Sequence, residues 1–486
     1  RLISRLRDDG LEINLRQFFD RPTIARQAEF FAQQPRDPLI TAVEIPRLPR
    51  EEFLPLSMTQ NRLWILDQLV PGNPVYNIPL ALRLTGPLQQ GALVKALEAI
   101  VQRHEILRAN FINDDGEPQI ILRTSAALPF EDVELSADNL DELLTERARR
   151  PFDLSEDALI RATLVTLEAE HHVLLLVIHH IVFDGWSQSV LLKELAQLYS
   201  DFCNARPSSL PELAYQYIDY AQWKRTQLAE QGVLERQQRF WREKIGSAPK
   251  TFGLPTDFPR PAVQSFAGAE YVFDLAQPLM RDLESLARQQ RITLFSLMLS
   301  AFAATLAQLS GHQEVVIGTD LAGRKVSGSD SLVGFFVNNV PLRFEVAPDL
   351  SWQQLVSHVH DQFMEVIDQP VDLEFDQIVD AVRPKRETNR NLLFQTLFAL
   401  HHETDEMLHW HNLTVDRLDF DSATSPFDLS LHVTRRGERF VGLCRYSTSL
   451  YLGLSIEMLC TSFTTLLELW STSLNSRCEA SPRNSE

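Results

Sequence analysis

Two adjacent histidines, His179 and His180, followed by Asp184 and Gly185, are the residues whose types and spacing best suit chemistry. Imidazole changes its charge near neutral pH, so a positioned histidine can transfer a proton there. The carboxylate of Asp184 can accept hydrogen bonds or pair with an arginine. Gly185 permits a positive φ or a close approach of two backbones. We call residues 179–187 the signature segment, and it predicts a proton-transfer site.

The elements on either side of the signature segment must hold it in place. An apolar run over residues 173–178 predicts a buried strand that ends at the histidines. Because successive strand residues point to opposite faces, only one of the two histidines can face a given cleft. A helix is predicted over residues 187–203, directly after the turn.

Length and composition limit the class of protein. The chain has 486 residues and a net charge of −19, with a pI near 5.2. It is long enough for two or more domains, and its acidity argues against nucleic acid or an anionic membrane as a partner. We find no signal peptide and no apolar run long enough to span a bilayer. The four cysteines form no CxxC pair, so reduced thiols and a cytoplasmic location are expected.

The order of elements predicts an α/β protein with mixed sheets, in which two apolar halves meet near residues 225–255. A helix is predicted over residues 211–230 and a strand over residues 393–400. No phosphate-binding loop, GxGxxG or GxSxG motif occurs, so neither a nucleotide nor a serine acyl-enzyme is indicated. The histidines at positions 401, 402, 409 and 411 fit no common zinc motif and are expected to lie in a solvated loop.

Several further segments occur in a recognisable order along the chain. They are residues 57–66, 103–111, 179–187, 217–223, 333–339 and 386–395. With these motifs the chain resembles the condensation domains of nonribosomal peptide synthetases. The sixth motif, residues 371–376, departs from the family because Glu374 stands where a proline is usual.

The resemblance implies a fold of two lobes, each like chloramphenicol acetyltransferase, which form a V-shaped pseudo-dimer around a tunnel. The implied domains are the N-lobe over residues 53–230 and the C-lobe over residues 231–475. The polar residues 476–486 are expected to form a disordered tail. Residues 1–34 resemble the C-terminal part of a peptidyl carrier domain, followed by a linker over residues 35–52. The serine that carries phosphopantetheine would lie upstream of Arg1 and is not in this chain.

The resemblance also implies the reaction. An upstream carrier presents an acyl or peptidyl thioester, and the amine of an aminoacyl group on a downstream carrier attacks it. The implied partners are these two carrier domains and an adjacent adenylation domain, with no nucleic acid and no membrane. The only cofactor implied is phosphopantetheine on the partner carriers, without metal or nucleotide.

By the same resemblance, His180 is the catalytic candidate, as a base, as a group that positions the amine or as an oxyanion stabiliser. His179 is expected to be structural. Asp184 is expected to pair with Arg324, or failing that with Arg343. The remaining candidates are supporting groups: Gly185 and Trp186 shape the loop, and Asn338 and Ser425 contact the tunnel.

Three alternatives stay open. An epimerization domain shares the signature, although residues 57–66 and 334–339 favour condensation. A non-catalytic module that recruits carriers or tailoring enzymes would tend to lose His180 or Asp184, and both are present. An ester-forming relative would use a hydroxyl acceptor. A heterocyclization domain is disfavoured because it would carry aspartates at the signature. The donor and acceptor residues are not encoded in any motif, and an L-configured donor is weakly favoured.

Overall fold

The computed structural model describes most of the chain between residues 45 and 472. The described residues are 6, 11, 13, 17–18, 21, 23–33, 45–50, 53–124, 127–230, 232–246, 254–369, 371–384, 387, 389–403 and 409–472. The expected disordered tail and most of the expected carrier remnant lie outside them. Of the residues expected to belong to a carrier domain, one helix is described, and Thr23 begins it by accepting a hydrogen bond from Arg26 N–H.

The described helices are α1 (Ile24–Gln33), α2 (Met58–Leu69), α3 (Gln90–Arg103), α4 (Leu140–Arg149), α5 (Gly185–Cys203), α6 (Tyr217–Ala229), α7 (Val233–Ile245), α8 (Gln277–Gln290), α9 (Leu294–Ser310), α10 (Trp352–Ile367), α11 (Phe375–Val382) and α12 (Gly453–Thr472). The strands are β1 (Leu54–Pro55), β2 (Asn77–Thr85), β3 (Ala109–Asp114), β4 (Glu117–Leu122), β5 (Phe130–Glu134), β6 (Ile160–Glu168), β7 (His171–His179), β8 (Gly268–Leu275), β9 (Glu314–Leu321), β10 (Asn338–Glu345), β11 (Thr396–Glu403), β12 (His409–Trp410), β13 (Leu413–Leu418), β14 (Leu429–Arg436) and β15 (Arg439–Ser447).

The first lobe is built on a six-stranded sheet in the order β12-β13-β2-β7-β6-β5. Strand β7 lies inside this sheet, antiparallel to both β2 and β6. Every residue from His172 to His179 is buried, which explains why the sequence there is a continuous apolar run rather than an alternating one. This rigid central strand therefore delivers the signature segment to the edge of the lobe.

The second lobe is built on another six-stranded sheet, in the order β10-β9-β11-β14-β15-β8. Its apolar core joins one face of the sheet to α8, α9, α10 and α12. Both large sheets are mixed, because β5 runs parallel to β6 and β11 runs parallel to β9 and β14. The predicted α/β class, the mixed sheets and the two lobes are therefore confirmed. A small third sheet, β1-β4-β3, completes the described strands.

Two parts of the second half of the chain join the first lobe. Residues 332–337, which we call the crossing segment, contribute Leu332, Val333, Phe335 and Phe336 to the core of the first lobe. Strand β13 pairs with β2, so that Val415 stands opposite Leu84. The sheet of the first lobe therefore contains strands from both sides of residue 230. The expected domain limits stay a prediction.

Two local predictions were wrong. The helix predicted over residues 211–230 begins only at Tyr217, where Gln216 and Asp219 form a capping box. His401 and His402 lie on β11 rather than in a loop, because β14 offers pairing partners as far as Arg436. The ring of His401 stacks on His432, with centroids 5.4 Å apart.

The structure bears on two expectations from composition, which concern membrane-spanning helices and the state of the cysteines. Among the described residues no single helix is long and apolar enough to cross a membrane. Helices α8 and α9 reach that threshold only when taken together, across a bend of 106°. The three cysteines in the described part of the chain, Cys203, Cys444 and Cys460, are free thiols.

Candidate functional site

The proton on the His180 ring is located by a hydrogen bond within the signature segment. Strand β7 ends at His179, and His180 opens a short 3-10 turn, His180–Val182. Nδ1 of His180 lies 2.7 Å from the carbonyl oxygen of Phe183. A carbonyl oxygen can only accept, so Nδ1 carries the hydrogen and Nε2 of the neutral ring holds the free lone pair. His180 can therefore accept a proton or a hydrogen bond through Nε2.

Burial determines the charge state of both histidines. It lowers the pKa of His180 below 6.5, and hydrogen bonding and the charge of Asp184 offset this only in part. Burial, with the nearby His180 and Arg161, lowers the pKa of His179 to about 3. His179 is packed edge-on against Phe152 and accepts a hydrogen bond from Ile181 N–H. His179 is thus a neutral, packed ring, and His180 is the only partly exposed member of the pair.

Asp184 is a buried junction between the two lobes. It caps helix α5 by accepting a hydrogen bond from Ser187 N–H at 2.7 Å. Its other oxygen accepts the N–H groups of Phe336 and Val337, at 3.0 and 3.2 Å. Its side chain is 1% exposed. One carboxylate therefore ties the signature segment to the crossing segment.

The predicted ion pair between Asp184 and Arg324 is present, with Nη2 3.1 Å from the carboxylate and the arginine side chain only 2% exposed. The guanidinium also donates to the carbonyl oxygens of Ser329 and Leu332 and lies 3.9 Å from the ring centroid of Phe336. Arg324 thus holds the strand-to-strand connection of the second lobe against the signature segment.

The crossing segment is also held by side chains that the other motifs supply. The Tyr217 hydroxyl donates to Phe335 O at 2.8 Å, and Ser187 Oγ accepts from Gly334 N–H at 3.0 Å. His104 Nε2 lies 2.7 Å from Glu194, while its other nitrogen accepts from Val333 N–H. These roles were not predicted residue by residue, because the contacts of Tyr217 and His104 with this segment join positions more than 110 residues apart in the sequence.

Gln60 supports the signature segment from the first motif. With Ser57 it forms the capping box of helix α2, and its amide nitrogen donates to Ile181 O at 3.0 Å. The Ser-x-x-Gln spacing is typical of a helix start and is a signal that could have pointed to Gln60. Only the tertiary structure connects it to the signature.

Gly185 and Trp186 behave differently from each other. Gly185 is the first residue of α5, its φ is not positive, and a Cβ at this position would meet nothing within 4 Å. Neither reason expected for a glycine here therefore applies, and the position faces open space. Trp186 donates from its indole nitrogen to Asp330 O at 3.0 Å, which joins α5 to the second lobe.

The other three predicted site residues have local partners. Arg343 lies on β10 and pairs with Glu314, not with Asp184. Because the first choice, Arg324, is the residue that pairs with Asp184, the second choice is not needed. Asn338 donates to Leu373 O at 2.6 Å, while its buried Oδ1 has no hydrogen-bond partner within the described structure. Ser425 is buried and donates to Phe427 O.

The unusual Glu374 of the sixth motif is paired. It caps helix α11 and lies 3.0 Å from Lys224 of α6, with side chains 7% and 12% exposed. Burial lowers the pKa of Lys224, but Glu374, Tyr220 and Asp372 together outweigh it and raise this pKa above 10.5. A lysine on α6 thus stabilises the glutamate at this position.

No group of three or more histidine, cysteine, aspartate or glutamate side chains in the described parts of the chain could hold a metal ion. The arrangement instead offers a neutral imidazole with a free lone pair, on a loop clamped between two lobes. This defines a class: a two-lobed α/β protein whose neutral histidine can accept a proton or a hydrogen bond from a nucleophile.

Comparison with known proteins identifies the family. The family model of the condensation domain matches residues 50–481, so the chain belongs to the condensation-domain family of amide-bond-forming acyltransferases. It is 36% identical over 462 residues to malpinin synthetase of Mortierella alpina, covering 94% of this chain and 6% of that protein. It is 38% identical over 428 residues to phosphinothricin tripeptide synthetase PhsC of Streptomyces viridochromogenes, covering 85% and 39%.

Solved structures support the fold. The X-domain from teicoplanin biosynthesis matches with a TM-score of 0.82 at 24% identity, covering 89% of this chain and 98% of that chain. The first condensation domain of the calcium-dependent antibiotic synthetase matches with a TM-score of 0.73 at 19% identity, covering 89% and 99%. The chain thus has the fold of condensation domains, while it spans less than half the length of the two synthetases that it resembles in sequence.

Proposed function

We propose that this chain forms peptide bonds in nonribosomal peptide synthesis. It would transfer an acyl or peptidyl group from an upstream carrier thioester to the amine of an aminoacyl group on a downstream carrier. The observation that carries the proposal is the hydrogen bond from His180 Nδ1 to Phe183 O, because it leaves Nε2 free to accept from the attacking amine. The family match supports the same reaction class.

The reaction proceeds by attack of the neutral amine on the thioester carbonyl. As the C–N bond forms, the amine loses a proton to Nε2 of His180, and the C–S bond of the tetrahedral intermediate then breaks. The leaving thiolate of the donor phosphopantetheine takes the proton from His180, so the products are an amide and a thiol. Thioester aminolysis is downhill in free energy. The main contribution of the protein to the rate is therefore to hold the amine and the thioester in position to react.

The partners follow from this proposal. Two carrier domains would each present a phosphopantetheine thioester, and an adenylation domain would load the acceptor. Residues 1–34 would be the end of the upstream carrier, as their sequence suggests. A cytoplasmic location and an L-configured donor fit the same proposal. The ester-forming variant would use the identical lone pair on a hydroxyl acceptor.

The test uses the full chain with two separate carrier domains, chemically loaded with an N-acetylated dipeptide and with glycine. Mass spectrometry should find the tripeptide on the acceptor carrier, and His180→Ala should lose most of it while its melting temperature changes little. Gln60→Ala serves as a control that perturbs the loop support without touching the imidazole. Full product from a folded His180→Ala variant would contradict the role of His180.

The same assay separates the alternatives. An epimerization domain would exchange the α-proton of a carrier-bound residue for deuterium from the solvent, without forming an amide. A recruiting module would bind loaded carriers and give neither outcome. Either result with the unchanged protein would replace the proposed function.

A further inference from the structure

Asp320 is a carboxylate in an unusual position near the signature segment. It lies on β9 opposite Asn339 of β10, one pair of residues from Leu321 and Asn338. Asn339 Nδ2 donates a hydrogen bond to Asp320 Oδ1. The Asp320 residue is partly exposed, unlike the fully buried Thr319 beside it. One oxygen of Asp320 is thus held by an amide while the residue keeps contact with open space.

Both strands connect Asp320 to the site. Val337 directly precedes β10, two positions before Asn339, and its N–H donates to Asp184. On β9, the chain runs from Asp320 to Arg324, the partner of Asp184, in four residues. The charge of Asp184 also contributes to raising the pKa of Asp320. Asp320 therefore belongs to the surroundings of the signature segment.

Asp320 has no cationic partner among the residues that the structure describes. Five buried carboxylates of the described chain are paired with basic side chains, namely Asp184 with Arg324, Asp219 with Arg50, Glu194 with Arg103, Asp428 with Arg260 and Glu374 with Lys224. A sixth, Asp201, accepts hydrogen bonds from Ser209 and Gln197 on both of its oxygens. Within the same residues no arginine, lysine or histidine forms an ion pair with Asp320. Partly exposed Asp320 has, among the described residues, a hydrogen bond on one oxygen only, from Asn339.

The surroundings of Asp320 favour a protonatable group. On β10, the residue opposite Asp320 is the neutral Asn339. In the signature segment, the charge of Asp184 acts on it. Strand β11 pairs with β9 only as far as Thr319, so it places no residue opposite Asp320. Burial is the main cause that raises the pKa of Asp320 to about 6. The hydrogen bond from Asn339 lowers this pKa, and the charge of Asp184 raises it further. An α-amino group has a pKa of about 7.7 to 8.0, so a proton can pass from it to Asp320 at modest cost.

We propose that Asp320 binds the ammonium group of the acceptor and accepts the proton that this group must lose before it attacks. The inference rests on the function proposed above and assigns the two proton transfers to two groups. The first proton moves from the ammonium to the Asp320 carboxylate, which leaves a neutral amine. The second moves to His180 Nε2 as the amide forms, and Asp320 then releases its proton to water.

The proposal predicts a dependence on the acceptor amine. Asp320→Asn keeps the shape of the side chain and an oxygen for Asn339, but it cannot take a proton. With a glycyl-loaded acceptor carrier, amide formation near pH 7 should fall at least about tenfold, the size of effect expected when a charged hydrogen-bond partner is lost. Its rate should then rise with pH through the pKa of the amine itself. With an aminooxyacetyl-loaded carrier, whose amine is already neutral at pH 7, the rate should be unchanged.

Stability provides a second readout. A carboxyl group whose pKa is raised by folding destabilises the folded state progressively as the pH rises from its unfolded pKa to its folded pKa. Asp320→Asn should therefore raise the melting temperature most at pH 8 and by about half as much at pH 5, since the folded pKa is about 6 and the unfolded one about 3.9. Asp320→Glu should recover part of the activity with the glycyl acceptor. Asp274→Asn is the matched control, because Asp274 lies on the same sheet in an exposed pair with Arg439.

The possible outcomes separate the two proposals. Equal losses with both acceptors, no loss with either, or a lower melting temperature at both pH values would overturn the role of Asp320 while the proposed function stands. If the unchanged protein forms no amide with either acceptor, the proposed function fails and this inference fails with it. A selective loss with the glycyl acceptor, restored in part by glutamate, supports the assignment.

Discussion

Asp184→Asn is the sharpest test of how the site is held together. The substitution preserves shape but replaces one carboxylate oxygen with an amide nitrogen. One oxygen of Asp184 accepts from Ser187 N–H and Arg324, and the other accepts from the N–H groups of Phe336 and Val337. Whichever way the amide turns, its NH₂ group must face two donors. The guanidinium of Arg324 is also left buried without a counter-charge.

The expected cost follows from this geometry. Removing one partner of a buried ion pair costs about 3–5 kcal/mol, because the remaining charge is uncompensated. Arg324 is 2% exposed and cannot reach water without moving, so we expect the free energy of unfolding to fall by an amount in that range. With an unfolding entropy of about 2.1 cal/mol/K per residue, each kcal/mol lowers the melting temperature of a chain this long by roughly 1 °C.

The assay is a double-mutant cycle in which the free energy of unfolding of each variant is measured in urea. Because two lobes need not unfold together, both tryptophan fluorescence and circular dichroism are recorded. Asp184→Asn and Arg324→Met should each be destabilising, and the double variant should be less destabilised than the sum of the two, since neither charge remains alone. Asp274→Asn, in an exposed ion pair, should change little. Additive effects, or an Asp184→Asn variant with unchanged unfolding, would refute the argument.

Two further predictions concern the groups around the site. His179 has its pKa lowered to about 3, so the unfolded state binds more protons between that value and about 6.5. The stability that His179 contributes is therefore complete above pH 6.5 and declines as pH falls, by about 1.5 kcal/mol between pH 6.5 and 5. His179→Gln should remove that slope from the pH dependence of the urea midpoint, and an unchanged slope would count against a buried neutral ring. Lys224→Met should lower the free energy of unfolding by about 3 kcal/mol, because it leaves Glu374 buried without a counter-charge. Adding Glu374→Gln should restore most of that stability. If the single and double variants have the same free energy of unfolding, the pair is not coupled.

Much of the fold was readable from local pattern. The continuous apolar run before His179 predicted a buried strand, and that run forms β7 at the centre of its sheet. The helix predicted after the turn is α5, with Asp184 as its cap. Such features depend on residues within a turn or two of each other, so the sequence encodes them directly.

Elements that depend on distant partners were missed. Strands β12 and β13 give little signal of their own, and β13 exists because β2 offers an edge more than 300 residues earlier. Helix α6 starts later than predicted because Asp219 is drawn into a capping box with Gln216 and into a pair with Arg50. In each case a long-range contact overrides a weak local preference.

The sequence by itself indicated the candidate residues of the site and the family to which the chain belongs, because the histidines and Asp184 stand in one short motif and the other motifs follow in the family's order. Only the tertiary structure decided how they divide the work. It gave Nδ1 of His180 a carbonyl partner, buried His179 in the core and paired Arg343 with Glu314. It also left Asp320, among the described residues, without a cation. These outcomes depend on burial and on contacts between residues far apart in the chain, and neither is a property of residue type or spacing.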